Sequence, residues 1–173
     1  MYISGTNMKD ALIQWVSQFP DELAVVMLAM LPITELRASI PVALLALDFN
    51  SSQALFFSYL GNLVPVILLF LFLPSIIKFL ETNSKCLKSI LDKYFHALEK
   101  KHIKNYHKYG TLFLVLFVAI PLPGSGVWSG SLLAILFNIN KKLAIPAIIF
   151  GMILSGIIVT LLTQGGINLL GFL

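Results

Sequence analysis

Apolar residues along this chain gather into four long stretches, about 23–47, 53–80, 111–137 and 143–163. At 1.5 Å per residue, the second and fourth are long enough to cross a hydrocarbon core of about 30 Å as single helices. The first and third are interrupted. The first, LAVVMLAMLPITELRASIPVALLAL, is broken by Pro32 and Pro41, with Glu35 and Arg37 between them. The third, TLFLVLFVAIPLPGSGVWSGSLLAILF, is broken by Pro121, Pro123, Gly124, Gly126 and Gly130. Each leaves two short apolar arms that reach roughly half the membrane thickness. The pattern predicts two re-entrant helical hairpins, each entering and leaving on one face, with protein or a watery cavity covering the irregular tips. Four ordinary spans kinked at proline are the alternative.

Ahead of these stretches, Met8, Ala11, Leu12, Trp15, Val16 and Phe19 recur at helical spacing, with Lys9, Asp10, Gln14 and Gln18 opposite. Residues 1–20 therefore read as an interfacial amphipathic helix stopped by Pro20, with Trp15 at headgroup depth. They lack the basic start, continuous apolar core and small-residue cleavage site of a signal peptide. The polar segment 81–109 carries an apolar stripe of Leu87, Leu91, Tyr94, Phe95, Leu98 and Ile103 with lysines facing away. It reads as a basic amphipathic segment on the anionic inner leaflet.

Composition turns this pattern into a solvent assignment. Of 173 residues, 58% are hydrophobic and 12% charged, about half the charged share of a soluble domain. Lipid is the solvent that fits. The single cysteine, Cys86, excludes an internal disulfide and a cysteine metal cluster.

Charge placement favours hairpins over plain spans. Eight lysines from Lys78 to Lys108 lie between the second and third stretches, and Lys141 and Lys142 between the third and fourth. A full crossing by the third stretch would put these clusters on opposite faces, whereas a hairpin keeps both in the cytoplasm. Hairpin plus span then occurs twice, in repeats 21–80 and 110–173. Each repeat crosses once, so the two are inverted, the plan of many transporters with a midplane site between repeats. The expected fold is an all-α integral membrane protein of two inverted repeats.

Glu35 and Arg37 are the only ionisable residues deep inside an apolar stretch. Burying such groups is costly, and they mark a pathway or site; a mutually neutralising structural pair is the plainer reading. Gly124 and Gly126 flank Ser125, letting the backbone turn sharply and present N–H groups, and Trp128 could seal a cavity or stack on a ligand. Gly124, Ser125, Gly126 and Trp128 are therefore candidate ligand contacts; a tight hairpin turn with Trp128 as packing is the equal alternative. Arg37, Ser39 and the helix N-termini at the tips favour an anionic group such as phosphate or carboxylate. Glu35 suits proton coupling or a cationic counter-ion. Asn62 and Gln164 are weaker candidates for lining the site, with helix–helix hydrogen bonds as the plainer reading. No HExxH, Walker A or nucleophile elbow is present, and His96, His102 and His107 all lie in the basic segment. No enzyme activity, metal, cofactor or nucleic-acid partner is expected.

The segments PITELRASIPVA and IPLPGSGVWSGSLLA together resemble the paired signatures of the small multidrug export family, which itself resembles the DedA/VTT membrane proteins. The resemblance spans about 20–165. It rests on Pro32, Glu35, Leu36, Arg37, Pro41, Pro121, Pro123, Gly124, Gly126, Trp128 and Gly130. It implies a multi-pass protein of a bacterial or archaeal cytoplasmic membrane, and the DedA likeness implies lipid phosphates such as a polyprenyl phosphate. DedA proteins carry arginines at the second tip, and this chain has none between 109 and 173. Two spans and two hairpins enclose little volume, so a homodimer is expected. The functions in view are transport of an amphipathic or anionic molecule, efflux of lipophilic drugs, or a membrane scaffold that recruits a partner through 83–108.

Overall fold

The computed structural model describes residues 19–83, 110–122 and 124–170. The expectations for the N-terminal interfacial helix, for most of the basic segment and for Pro123 lie outside these residues. The described residues form six helices and no strand: α1 (Asp21–Met30), α2 (Glu35–Leu45), α3 (Ser51–Asn83), α4 (Gly110–Ala119), α5 (Val127–Leu136) and α6 (Lys141–Leu170). Two short helices followed by a long one occur twice. The short helices have 10 or 11 residues, about 15 Å each, and none is long enough to cross a membrane alone. Segments Ser51–Phe79 and Lys141–Gly166 are long and apolar enough to do so.

Beside an apolar core, the structure buries several polar side chains and exposes large apolar ones. Buried positions include Glu35, Ser39, Ser58, Asn62, Ser131, Ser155 and Thr160. Ile67, Leu71 and Phe72 of α3 and Phe150, Leu161 and Leu162 of α6 are each more than half exposed. Such faces are stable against acyl chains, and the polar groups then belong inside.

The chain divides into two compact units, residues 1–62 with 159–173, and residues 63–158. In the first, Asp21 and Glu22 occupy the positive end of α1. The α1 face of Ala24, Val25, Leu28 and Ala29 is buried, and α1 packs along α2. The buried positions of α2, at Glu35, Leu36, Ser39, Ile40 and Ala43, fall on one helical stripe. Gly61 of α3 meets α1 so closely that a Cβ there would overlap the Val26 carbonyl oxygen and stand 2.7 Å from Ala29 Cβ. The expected bond of Gln164 is found: its Nε2 donates to Ser51 Oγ at 2.6 Å.

In the second unit, Gly151 of α6 plays the part of Gly61. A Cβ there would lie 2.7 Å from the Val115 carbonyl oxygen and 2.8 Å from Val118 Cβ of α4. Gly130, read as part of the break, lies inside α5, where a Cβ would stand 2.5 Å from Val118 Cγ2.

Both long helices start alike. Asp48 and Asn138 adopt left-handed backbone, φ 53 and 51, which short Asx side chains tolerate. Two residues later comes an asparagine. Asn50 Oδ1 accepts the Gln53 N–H at 2.9 Å while Gln53 Oε1 accepts the Asn50 N–H at 3.2 Å, a reciprocal cap. Asn140 Oδ1 accepts the Lys142 N–H at 3.0 Å. Gly61 and Gly151 each lie eleven residues beyond their capping asparagine.

Proline inside α3 accounts for a long-range contact. Pro74 has no N–H to offer the carbonyl of Phe70, four residues earlier, and Lys141 Nζ donates to that oxygen at 3.1 Å. Lys141→Met is expected to cost about 0.5–1 kcal/mol, reduced by partial solvation of the lysine. In a Pro74→Ala background the restored N–H serves Phe70, and the loss should shrink toward zero. A thermal double-mutant cycle checks this; strictly additive effects would show that the lysine does not replace the missing donor.

Candidate functional site

The first break lies in the first unit, between α1 and α2. Leu31 leaves α1 in an extended conformation, φ −73 and ψ 139, as the residue before a proline must. The Thr34 hydroxyl donates to the Leu28 carbonyl at 2.5 Å, serving an oxygen in the last turn of α1. The Glu35 N–H reaches the Leu31 carbonyl at 3.1 Å. Helix α2 begins there, six residues before the expected point at Pro41. Pro41 does not break the chain: it is the seventh residue of α2. Its fixed φ suits a helix, and its cost there is a lost donor and crowding of the carbonyl four residues earlier, whereas Pro32 acts on the residue before it and ends α1.

Glu35 is the exceptional residue of this unit. Its φ is 45, a left-handed conformation uncommon for a long side chain and costing about 1–3 kcal/mol. It is also only 3% exposed. Strained backbone and a buried acidic side chain on one residue are two costs that packing alone does not require. Arg37, two residues on, is half-buried; its Nε is buried without an acceptor among the described residues, while the side chain interacts elsewhere within the chain. Ser39, one turn beyond Glu35, donates to Ser58 Oγ of α3 at 2.8 Å, and both serines are fully buried. Asn62, read as a helix–helix bond, is fully buried with no partner for Oδ1 or Nδ2 among the described residues.

The second break belongs to the second unit. Gly124 and Gly126 have φ 83 and 120, backbone that glycine adopts without strain. They redirect the chain from α4 into α5. Ser125 Oγ lies 2.6 Å and 2.8 Å from the carbonyl oxygens of Ile120 and Leu122, which share its one hydroxyl proton, and it accepts the Leu122 N–H at 3.2 Å. This side chain, anticipated as a ligand contact, thus holds the turn together. Trp128 is half-buried in the first turn of α5, and the fully buried Ser131 Oγ has no partner among the described residues. Glu35, Arg37, Ser39 and Asn62 fall in one unit, and Gly124 to Ser131 in the other. No group of three or more His, Cys, Asp or Glu side chains that could hold a metal ion occurs among the described residues.

Sequence offers Asn62 only as a secondary lining candidate and does not single out Ser131 as a ligand contact. A polar residue in an apolar run was the available signal, but whether a partner meets it depends on packing.

A family model described as "Putative small multi-drug export protein" matches residues 35–158. No curated protein and no solved structure matches the chain. The matched span begins at Glu35, contains the second break and reaches into both long helices. It takes in more than half of the sequence. Together with the two long apolar helices and their lipid-suited surfaces, it identifies a membrane protein, and the chain belongs to the small multi-drug export protein family.

Proposed function

We propose that the chain is a membrane transporter, not an enzyme, that moves an amphipathic molecule bearing a charged group past the break between α1 and α2. The observation that carries this reading is Glu35: a buried carboxyl held in strained left-handed backbone beside Arg37. Arg37 recognises an anionic group, such as the phosphate of a polyprenyl phosphate, and Glu35 exchanges a proton. Ser39 adds a hydroxyl to this lining, and Gly124, Gly126 and Trp128 at the second break are ligand contacts within their own unit. The repeated order of two short helices and one long one supports two inverted hairpin-plus-span repeats in a cytoplasmic membrane, with segment 81–109 on the cytoplasmic face and two chains forming the working unit. The family's description favours a second reading, efflux of lipophilic drugs, with Glu35 as counter-ion to a cation.

Ligand-dependent thermal stability separates the two. A ligand at ten times its Kd stabilises the folded state by ~1.4 kcal/mol, about 3–6 °C for a chain of this size. A polyprenyl phosphate is expected to raise the Tm of the native chain and leave Arg37→Ala unmoved. A shift produced by a lipophilic cation alone would replace the anionic substrate with drug efflux. Silence from both ligands would defeat the transport readings and favour a scaffold.

A further inference from the structure

Among the described residues of the first unit, Asn62 is the side chain with both of its polar atoms buried and unpartnered. It is 0% exposed, and neither its Nδ2 nor its Oδ1 has a partner among the described residues. A buried amide in this state costs stability, and an apolar residue of similar volume costs nothing comparable. Ser58, one turn earlier on the same face of α3, is satisfied by Ser39 of α2.

That bond also fixes what lies opposite Asn62. Ala43 and Ala54 share one core cluster, one turn from Ser39 and Ser58 respectively. The two pairs set an antiparallel register for α2 and α3. One turn the other way brings Glu35 level with Asn62. Pro65 adds to this layer, because it has no N–H for the carbonyl of Gly61. The Asn62 amide thus lies at the depth of Glu35 in an apolar helix pair, and a buried amide with no protein partner among the described residues calls for something that binds there.

We propose that Asn62 is a binding residue: its amide hydrogen-bonds a polar group of the transported molecule at the level of Glu35. That group carries both a donor for Oδ1 and an acceptor for Nδ2, as a hydroxyl does. Water takes its place when the molecule is absent. The proposal rests on the transport reading and adds a substrate requirement to it: charge alone does not satisfy the site.

Two measurements on the purified full chain test it without a known substrate. In a Cys86→Ser background, Asn62→Cys is treated with the water-soluble thiol reagent methanethiosulfonate ethylammonium, which reacts with the thiolate and so needs water at the site. The same treatment is applied to Val25→Cys, a fully buried position in the apolar cluster of the same unit. Labelling at 62 is expected to be at least about tenfold faster. Asn62→Leu is expected to leave Tm unchanged or raise it by up to about 2–4 °C, since no protein group depends on the amide. Equal, slow labelling at both positions would overturn the proposal by showing a dry interface. A fall in Tm for Asn62→Leu would overturn it by showing that the amide has a structural partner. Failure of both ligands in the stability experiment above would count against transport itself, a result separate from either of these.

Discussion

Gly61→Val is expected to leave little or no folded protein. In an ordinary helix interior, replacing glycine by a residue with a Cβ gains about 0.5–1 kcal/mol. Here the first added carbon overlaps a backbone carbonyl oxygen of α1 and stands 2.7 Å from Ala29 Cβ, and neither belongs to a flexible side-chain end. Relief requires α1 and α3 to separate along a face whose neighbours, Val25 and Ala29, are fully buried. Overpacking of this kind costs 1–3 kcal/mol or more, and a branched side chain lies at the upper end. That is a large part of a total stability of about 5–15 kcal/mol. Gly165→Ala is the control, because a Cβ there meets nothing within 4 Å. Monodisperse yield and Tm in detergent provide the comparison. A Gly61→Val protein as stable as the native chain would mean that α1 and α3 are not held in this contact.

Glu35→Gln should reduce transport to background in proteoliposomes while the protein stays monodisperse. The amide keeps the shape of the side chain and removes its charge and exchangeable proton. Glu35→Gly gives the sharper separation of roles. It relieves the left-handed strain at φ 45 and should add about 1 kcal/mol to stability, yet be as inactive as Glu35→Gln. If Glu35→Gly instead destabilised the protein by a similar amount, the carboxyl would be a structural partner, and the functional reading of this position would fall. A gain in stability with loss of activity is the signature of a residue kept in a costly conformation for what it does.

Much of this architecture was legible in the sequence, for reasons that can be located. Helices α3 and α6 follow from two unbroken apolar runs, and the short helices from runs that proline and glycine interrupt. Pro32 marked the end of α1 correctly because it restricts the residue before it. Pro41 misled because proline disfavours a helix interior, through a missing donor and a clash with the preceding turn, without forbidding it, and α2 runs through it. Glu35 and Arg37 stood out as charges in an apolar run, but the left-handed conformation of Glu35 arises from how the chain re-enters α2 and has no compositional trace. The bond between Gln164 and Ser51 joins residues 113 apart in sequence. Gly61 looks like any glycine in an apolar run. Its role, like the unpartnered state of Asn62, is created by the helix that packs against it.

The shared start of the long helices has a consequence for how this chain can vary. Each left-handed residue and capping asparagine works as an index mark from which a long helix is counted, and the glycine that meets its neighbour stands a fixed eleven residues on. A single residue inserted between Asn50 and Gly61 would turn the remainder of α3 by about 100° and shift it by 1.5 Å. That would rotate Gly61 away from Val26 and carry a bulky lipid-facing side chain into the gap. Insertions within these eleven-residue intervals should be lethal to folding, whereas lengthening before Asp48 or Asn138 leaves the count from each mark intact. Length, rather than residue identity, is what these two intervals keep constant.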